Sequence, residues 1–258
     1  MTTLFRIVTA AFCLFVSLPI LWLLYAAFLP PEAVVTAQLL PSGFSLDNFA
    51  LLPESGVWRA LGVSVSATSL VIVAQLVTGL LAAYAIRAGF KVVGLALVFI
   101  ALPSELLLVP LYRLLQQLGL LDNFGALVVP FLASPFVIFL VLQSMRRIPW
   151  ELVEAARLDG AGEGTIVARV IAPLLRPELV ATGVLAFAAH WNLVLYPKVM
   201  VSSDRLWTVQ VFLTELLRAR PFEWGLLGAS ALITTLPLLI LYLVFERRII
   251  AVFEGGFR

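Results

Sequence analysis

The chain of 258 residues is 62% hydrophobic and 12% charged, with a mean hydropathy of +1.07. Soluble domains run near a quarter charged, so a soluble globular fold is excluded and a polytopic membrane protein is indicated. The net charge of +2 comes without a Lys/Arg-rich run, which excludes nucleic acid as a partner; a single cysteine and a single histidine exclude an internal disulfide and a Cys/His metal cluster.

In chain order, six apolar stretches of spanning length fall at about 7–28, 58–86, 92–114, 124–143, 179–196 and 226–245. The first follows Arg6 and is longer than a signal-peptide core, so it is expected to be retained. Cleavage near Ala26-Ala27, ahead of Pro30-Pro31, is the alternative. Of the 17 Lys and Arg residues, 11 fall on the side that carries both termini and the segment 146–177, and 6 on the other. The positive-inside rule therefore predicts cytoplasmic termini. The segments 29–57 and 197–224 then lie outside, broken by Pro41, Pro53 and Pro221.

Within the spans, polar side chains should face protein or water rather than lipid. Glu105 follows Pro103-Ser104 with Pro110 beyond, where a broken helix could line a cavity; pairing with Arg113 near the external interface is the other reading. Trp191-Asn192 offers an aromatic face beside an amide, chemistry suited to sugar C–H faces and hydroxyls, although core packing also explains the Trp. Gln75, Thr78, Ser134 and Gln143 either face a pathway or bond across helices, and His190, the single histidine, reads as a satisfied helix contact rather than a proton relay.

The longest polar interruption runs from Arg146 to Pro177. Pro149 suits a first helical position, Glu151 and Glu154 suit the positive end of a helix, and Gly160 follows Asp159 as a left-handed stop requires. A short helix from Pro149 to Asp159 is expected. Beyond the Gly160-Ala161-Gly162 turn, Ile166, Val167, Val170 and Ile171 recur at helical spacing until Pro173. Chemistry alone leaves two readings open: a polar loop whose acids pair with Arg147 and Arg157, or a surface for another protein.

Glu154-Ala155-Ala156, then Gly160, closed by Val170-Ile171-Ala172-Pro173, resembles the EAA signature of ATP-binding-cassette importer permeases, with Val170 and Ala172 in place of the usual Ile and Leu. Pro110-Leu111-Tyr112, Leu118-Gly119-Leu120-Leu121-Asp122, Arg147-Ile148-Pro149, Leu158-Asp159-Gly160-Ala161 and Trp191-Asn192 resemble the carbohydrate branch, in its maltose-type and glycerol-phosphate-type permeases. The likeness runs from about Pro19 to the C-terminus. It departs at Leu193, where an acidic residue is frequent, and at Leu61-Gly62, where Asn-Ser is frequent.

The resemblance implies an all-α membrane protein with the type I importer permease fold: six transmembrane helices and a cytoplasmic coupling helix-turn-helix, in one domain over 1–258. It implies a prokaryotic cytoplasmic membrane, a second permease chain forming a heterodimer, two cytoplasmic ATP-binding subunits and an extracytoplasmic solute-binding protein. Contact with the ATPase falls to Glu154, Ala155, Ala156, Leu158, Asp159 and Gly160, and the solute pathway is expected near Glu105, Trp191 and Asn192. The chain itself is expected to bind no cofactor or metal and to catalyse nothing, ATP and Mg being held by the partner subunits. The absence of a Gly-x-x-x-x-Gly-Lys-Ser/Thr loop agrees. The implied solute is a sugar, polyol or glycerol-phosphate-like molecule. An ion-coupled secondary transporter, a membrane enzyme and a plain scaffold are the other classes the sequence admits, with Glu105 the one acid well inside a span.

Overall fold

The computed structural model describes residues 2–30, 43–90, 103–219 and 223–254. The expected start of the third span, Pro31 and Pro41, Lys91, Arg220, Pro221 and the tail from Gly255 lie outside these residues. Those described form helices and no strand. Four helices are long and apolar enough to cross a membrane, Phe5–Ala27, Val57–Arg87, Phe124–Met145 and Trp224–Glu246. A fifth candidate is a pair, Glu163–Leu174 and Arg176–Trp191, bent by 81°.

The fold is described as two compact units, 1–62 with 208–237, and 63–207 with 238–258. In the first unit, α1 (Thr2–Ala27) carries apolar side chains all round, with Phe5 72% and Phe15 70% exposed, the pattern of a helix solvated by lipid or by another helix. Two of its hydroxyls are spent internally: Thr9 Oγ1 donates to the Phe5 carbonyl and Ser17 Oγ to that of Cys13, both at 2.8 Å. The carbonyls at its end are met by buried Asn48, whose Nδ2 donates to Ala27 O at 3.1 Å and Leu29 O at 2.7 Å. Gly225, at the start of the last helix, has no room for a Cβ because the Asn48 amide fills it. One turn on, a Cβ at Gly228 would stand 2.6 Å from Leu23 O, so the two backbones touch, as small residues allow in membranes.

In the second unit, α2 (Val57–Arg87) continues from Val63 and packs through Val71, Ile72, Ala83 and Tyr84 on Val137, Val141, Met145, Val153 and Ile171. Gly79 and Gly183 again mark close approaches, to Val137 and Leu76. The helix α3 (Leu108–Gln117) runs three residues past the expected end of the third span. The fourth span is broken rather than continuous: α4 (Phe124–Val128), a 3-10 turn Val129–Phe131, and α5 (Pro135–Met145).

The interruption 146–177 also differs from expectation in detail. The first short helix, α6, spans Glu151–Leu158, leaving Pro149 outside it. The second is an α turn Glu163–Ile166, a wide π turn Val167–Ile171 and Ala172–Leu174. Pro173 explains the widening: its ring clashes with the carbonyl four residues back and it offers no N–H, so the ladder opens before it. The fifth span, expected over 179–196, is α7 (Arg176–Trp191); Asn192 ends it, its Nδ2 donating to Ala188 O at 2.8 Å.

Candidate functional site

The turn after α6 is built by the backbone. Gly160 sits at φ +80°, its N–H donates to Arg157 O at 3.0 Å, and the Ala161 N–H donates to Ala156 O at 3.0 Å. This reciprocal pair satisfies two of the carbonyls a helix end leaves free, and glycine adopts the left-handed conformation without strain. The expected left-handed stop is therefore present.

Val153 is fully buried and anchors α6, while Ala156 packs at the edge of the core. One helical period then turns Leu152, Ala155 and Leu158 outward together. Leu152 is 44% exposed and Leu158 90% exposed, flanked by exposed Glu151, Glu154 and Asp159. The result is an exposed apolar strip with an acidic rim on a short helix whose end is fixed by its turn. Of the six residues expected there, Ala156 faces partly inward. Leu152 was not among them, although its place three residues before Ala155 puts it on the same face.

The expected local ion pairs of Arg157 with Glu154 and of Arg147 with Glu151 are not formed among the described residues. Arg157 instead reaches across the turn, with Nε 3.0 Å from Glu163 Oε1 and Nη2 3.3 Å from Oε2. The Tyr84 hydroxyl at the end of α2 donates to the same carboxylate and receives Arg157 Nη2 at 3.4 Å. Trp150 stands between Arg87 and Arg157, at 5.3 and 5.9 Å from their guanidinium carbons, and against Tyr84 at 5.7 Å. The Tyr84 hydrogen bond first, and Arg157 second, hold the Glu163 carboxyl below the usual carboxylate range, and Glu163 in turn raises Arg157. The brace ties both short helices to the end of α2. Its partners are 79 and 73 residues apart in the chain, a separation that no local pattern reveals.

At the break in the fourth span, three carbonyls that a proline or the bend deprives of the donor four residues on have side-chain partners. Pro130 leaves Ala126 O, met by the Tyr196 hydroxyl at 2.8 Å. Pro135 leaves Phe131 O, met by Gln75 Nε2 at 2.8 Å, and Leu132 O receives Thr78 Oγ1 at 3.0 Å. Irregular backbone inside a membrane requires such substitutes. A cavity of about 240 Å³ adjoins the break, lined by Gln75, Phe131, Ser134, Phe136, Ala189 and His190 among others. Thr68 Oγ1 lies 3.0 Å from His190 Nδ1, and Phe131 meets the imidazole edge-on at 5.1 Å, so the ring is held on two sides.

None of the three expected pathway residues lines this cavity. Trp191 is 3% exposed and stacks on Phe187 at 5.2 Å, the packing alternative. Asn192 caps α7, and Glu105 is exposed in a 3-10 turn, Ser104–Leu107, with no ion pair to Arg113 among the described residues. Asp122, in the Leu118–Asp122 stretch, takes φ +52° and its Oδ1 accepts the N–H groups of Ser202 at 2.9 Å and Ser203 at 2.7 Å.

The chain is 31% identical over 253 residues to the trehalose transport system permease protein SugB of Mycobacterium tuberculosis, covering 93% of this chain and 91% of that one. It is equally 31% identical over 253 residues, with the same coverage, to the arabinooligosaccharides transport system permease protein AraQ of Halalkalibacterium halodurans. Its fold matches a chain in the crystal structure of a bacterial ABC transporter that imports the acidic polysaccharide alginate, with a TM-score of 0.79 at 21% identity over 95% of this chain and 96% of that one. Residues 75–251, which include the broken span, the cavity and the whole polar interruption, match the family model described as binding-protein-dependent transport system inner membrane component, and the chain belongs to that family.

Proposed function

We propose that this chain is a permease subunit of an ATP-driven importer, providing half of a transmembrane path for a sugar or related polar solute. The observation that carries the reading is the outward strip Leu152, Ala155 and Leu158 on a helix ended by Gly160. Water does not favour a leucine 90% exposed, and a partner cleft that covers it gains on the order of 1.5–3 kcal/mol per side chain. Glu154 adds a charge-assisted hydrogen bond to a basic group of that partner, and Ala155 admits close approach. The partner is a cytoplasmic ATP-binding subunit, which holds ATP and Mg; this chain hydrolyses nothing and moves with the motor it grips. A second permease chain completes the path and an extracytoplasmic binding protein delivers the solute. The names of the relatives make trehalose and arabinooligosaccharides the first solutes to test.

Affinity capture of the tagged chain from its native membrane tests this. An ATP-binding subunit should copurify, and Leu158→Asp should release it while the chain still inserts. Solute movement by the chain alone, driven by an ion gradient, would replace the reading with a secondary transporter.

A further inference from the structure

The cavity beside the broken fourth span has a lining that narrows the kind of molecule it can hold. Among the described residues no charged side chain lines it. Its polar groups are each fixed by one bond to the protein and keep capacity to spare. Gln75 gives one N–H to Phe131 O and retains a second N–H and its carbonyl oxygen. Ser134 Oγ accepts from the Val137 N–H at 3.4 Å and retains its proton. His190 is held through Nδ1 by Thr68, and its Nε2 is buried with no hydrogen-bond partner among the described residues. Phe136, 42% exposed, supplies an aromatic face. Ala189 and His190 lie in the last turn of α7, where the helix presents its negative end and an anion is disfavoured. Mixed donors and acceptors beside an apolar ring, without a cation, suit a neutral polyhydroxylated ring and not a phosphate ester. Discontinuous helices in the middle of a membrane are also where transporters place substrate contacts.

We propose that Gln75, Ser134, His190 and Phe136 form a contact site for one uncharged glycosyl unit of the solute as it passes through this half of the path. Gln75, Ser134 and His190 meet its hydroxyls, and Phe136 covers a C–H face. The assignment rests on the importer reading and goes beyond it by giving residues and a charge class. It moves the expected pathway from Trp191 and Asn192 to their neighbour His190 and across to α2 and α5.

The test uses the complete importer, purified with its partners and reconstituted in vesicles with its binding protein. Uptake of radiolabelled trehalose, arabinotriose and glycerol 3-phosphate is measured for the wild type, Ala189→Trp and Ser134→Ala. Ala189 is exposed on α7, so a large side chain there fills the cavity without entering the core. The expected result is uptake of a neutral probe by the wild type. Ala189→Trp should lose it at least tenfold while the ATP-binding subunit copurifies as before. Ser134→Ala should raise the half-saturation concentration about two- to tenfold, the value of one neutral hydrogen bond. Undiminished uptake by Ala189→Trp, or glycerol 3-phosphate as the sole probe carried, overturns the site and leaves the importer reading standing. Uptake of no probe by the assembled wild type also overturns the site. Failure of any ATP-binding subunit to copurify overturns the importer reading itself.

Discussion

Gly160 sits at φ +80° with open space where its Cβ would point, so a side chain there meets no neighbour and the whole cost is in the backbone. A left-handed non-glycine residue costs on the order of 1–3 kcal/mol, least for Asn and most for a β-branched residue. Copurification of the ATP-binding subunit and solute uptake should therefore fall in the order wild type, Gly160→Asn, Gly160→Ala, Gly160→Val, with membrane insertion unchanged throughout. Normal uptake in Gly160→Val would count heavily against a coupling role for the turn. Three residues on, Glu163 supports the same turn through charge. Its carboxyl is held below its ordinary value of 4.5 by the Tyr84 hydroxyl and then Arg157, so the folded value lies under the unfolded one. Such a group contributes stability that is fully present above 4.5 and is lost only as the pH falls through the lower folded value. The brace should hold across the neutral range. Thermal midpoints of the solubilised complex, measured from about pH 3.5 to 8, should show Glu163→Gln below wild type at neutral pH and the two converging in acid. A gap independent of pH would mean that Glu163 acts by shape and not by charge.

The fourth span carries two prolines, yet it stays within the membrane fold because other helices donate in their stead. Tyr196 is the cleanest case. The residues around Pro130 remain helical, so an N–H at position 130 would itself point at Ala126 O. Removing the hydroxyl by Tyr196→Phe leaves a buried carbonyl unpaired and should cost about 1–3 kcal/mol. In a Pro130→Ala background the new amide takes over, and the cost of Tyr196→Phe should fall by more than half. The double-mutant cycle, read from unfolding midpoints of the solubilised complex, gives the coupling. Equal costs in both backgrounds would show that the hydroxyl is not replacing a proline's missing donor. The same physics sets what the sequence reveals. Gly160 after Asp159 and Pro173 after an apolar run announce their turns, because the conformational demand is made by the residue itself. The bond from Gln75 to Phe131 O spans 56 positions, and only the finished packing brings that donor to that carbonyl. Likewise Trp191 reads from sequence as a packing residue ahead of a pathway one, and the Phe187 ring that it stacks on becomes visible only in the fold.

Across the whole chain, charge and connectivity make one claim about orientation. Hydropathy made the apolar spans legible, and the count of 11 basic residues against 6 chose their direction. Within the second unit the side chains that meet are consistent in kind. Tyr84, Arg87, Trp150, Arg157 and Glu163 gather among segments rich in arginine, whereas Asp122 accepts from Ser202 and Ser203 in segments that are not. The expectation is that the chain passes from the first group to the second and back through one span each time, which would put the two on opposite sides of a bilayer. Cys13 is the sole cysteine, and Cys13→Ser provides a silent background for labelling. Thr165 and Ser202 are both exposed, and single cysteines there report the two sides. In intact cells a membrane-impermeant maleimide should modify Ser202→Cys and leave Thr165→Cys untouched until the membrane is opened. The reverse result would put Leu152, Ala155 and Leu158 outside the cell, where no ATP-driven motor could reach them, and the coupling reading of the 146–177 segment would fall with the orientation.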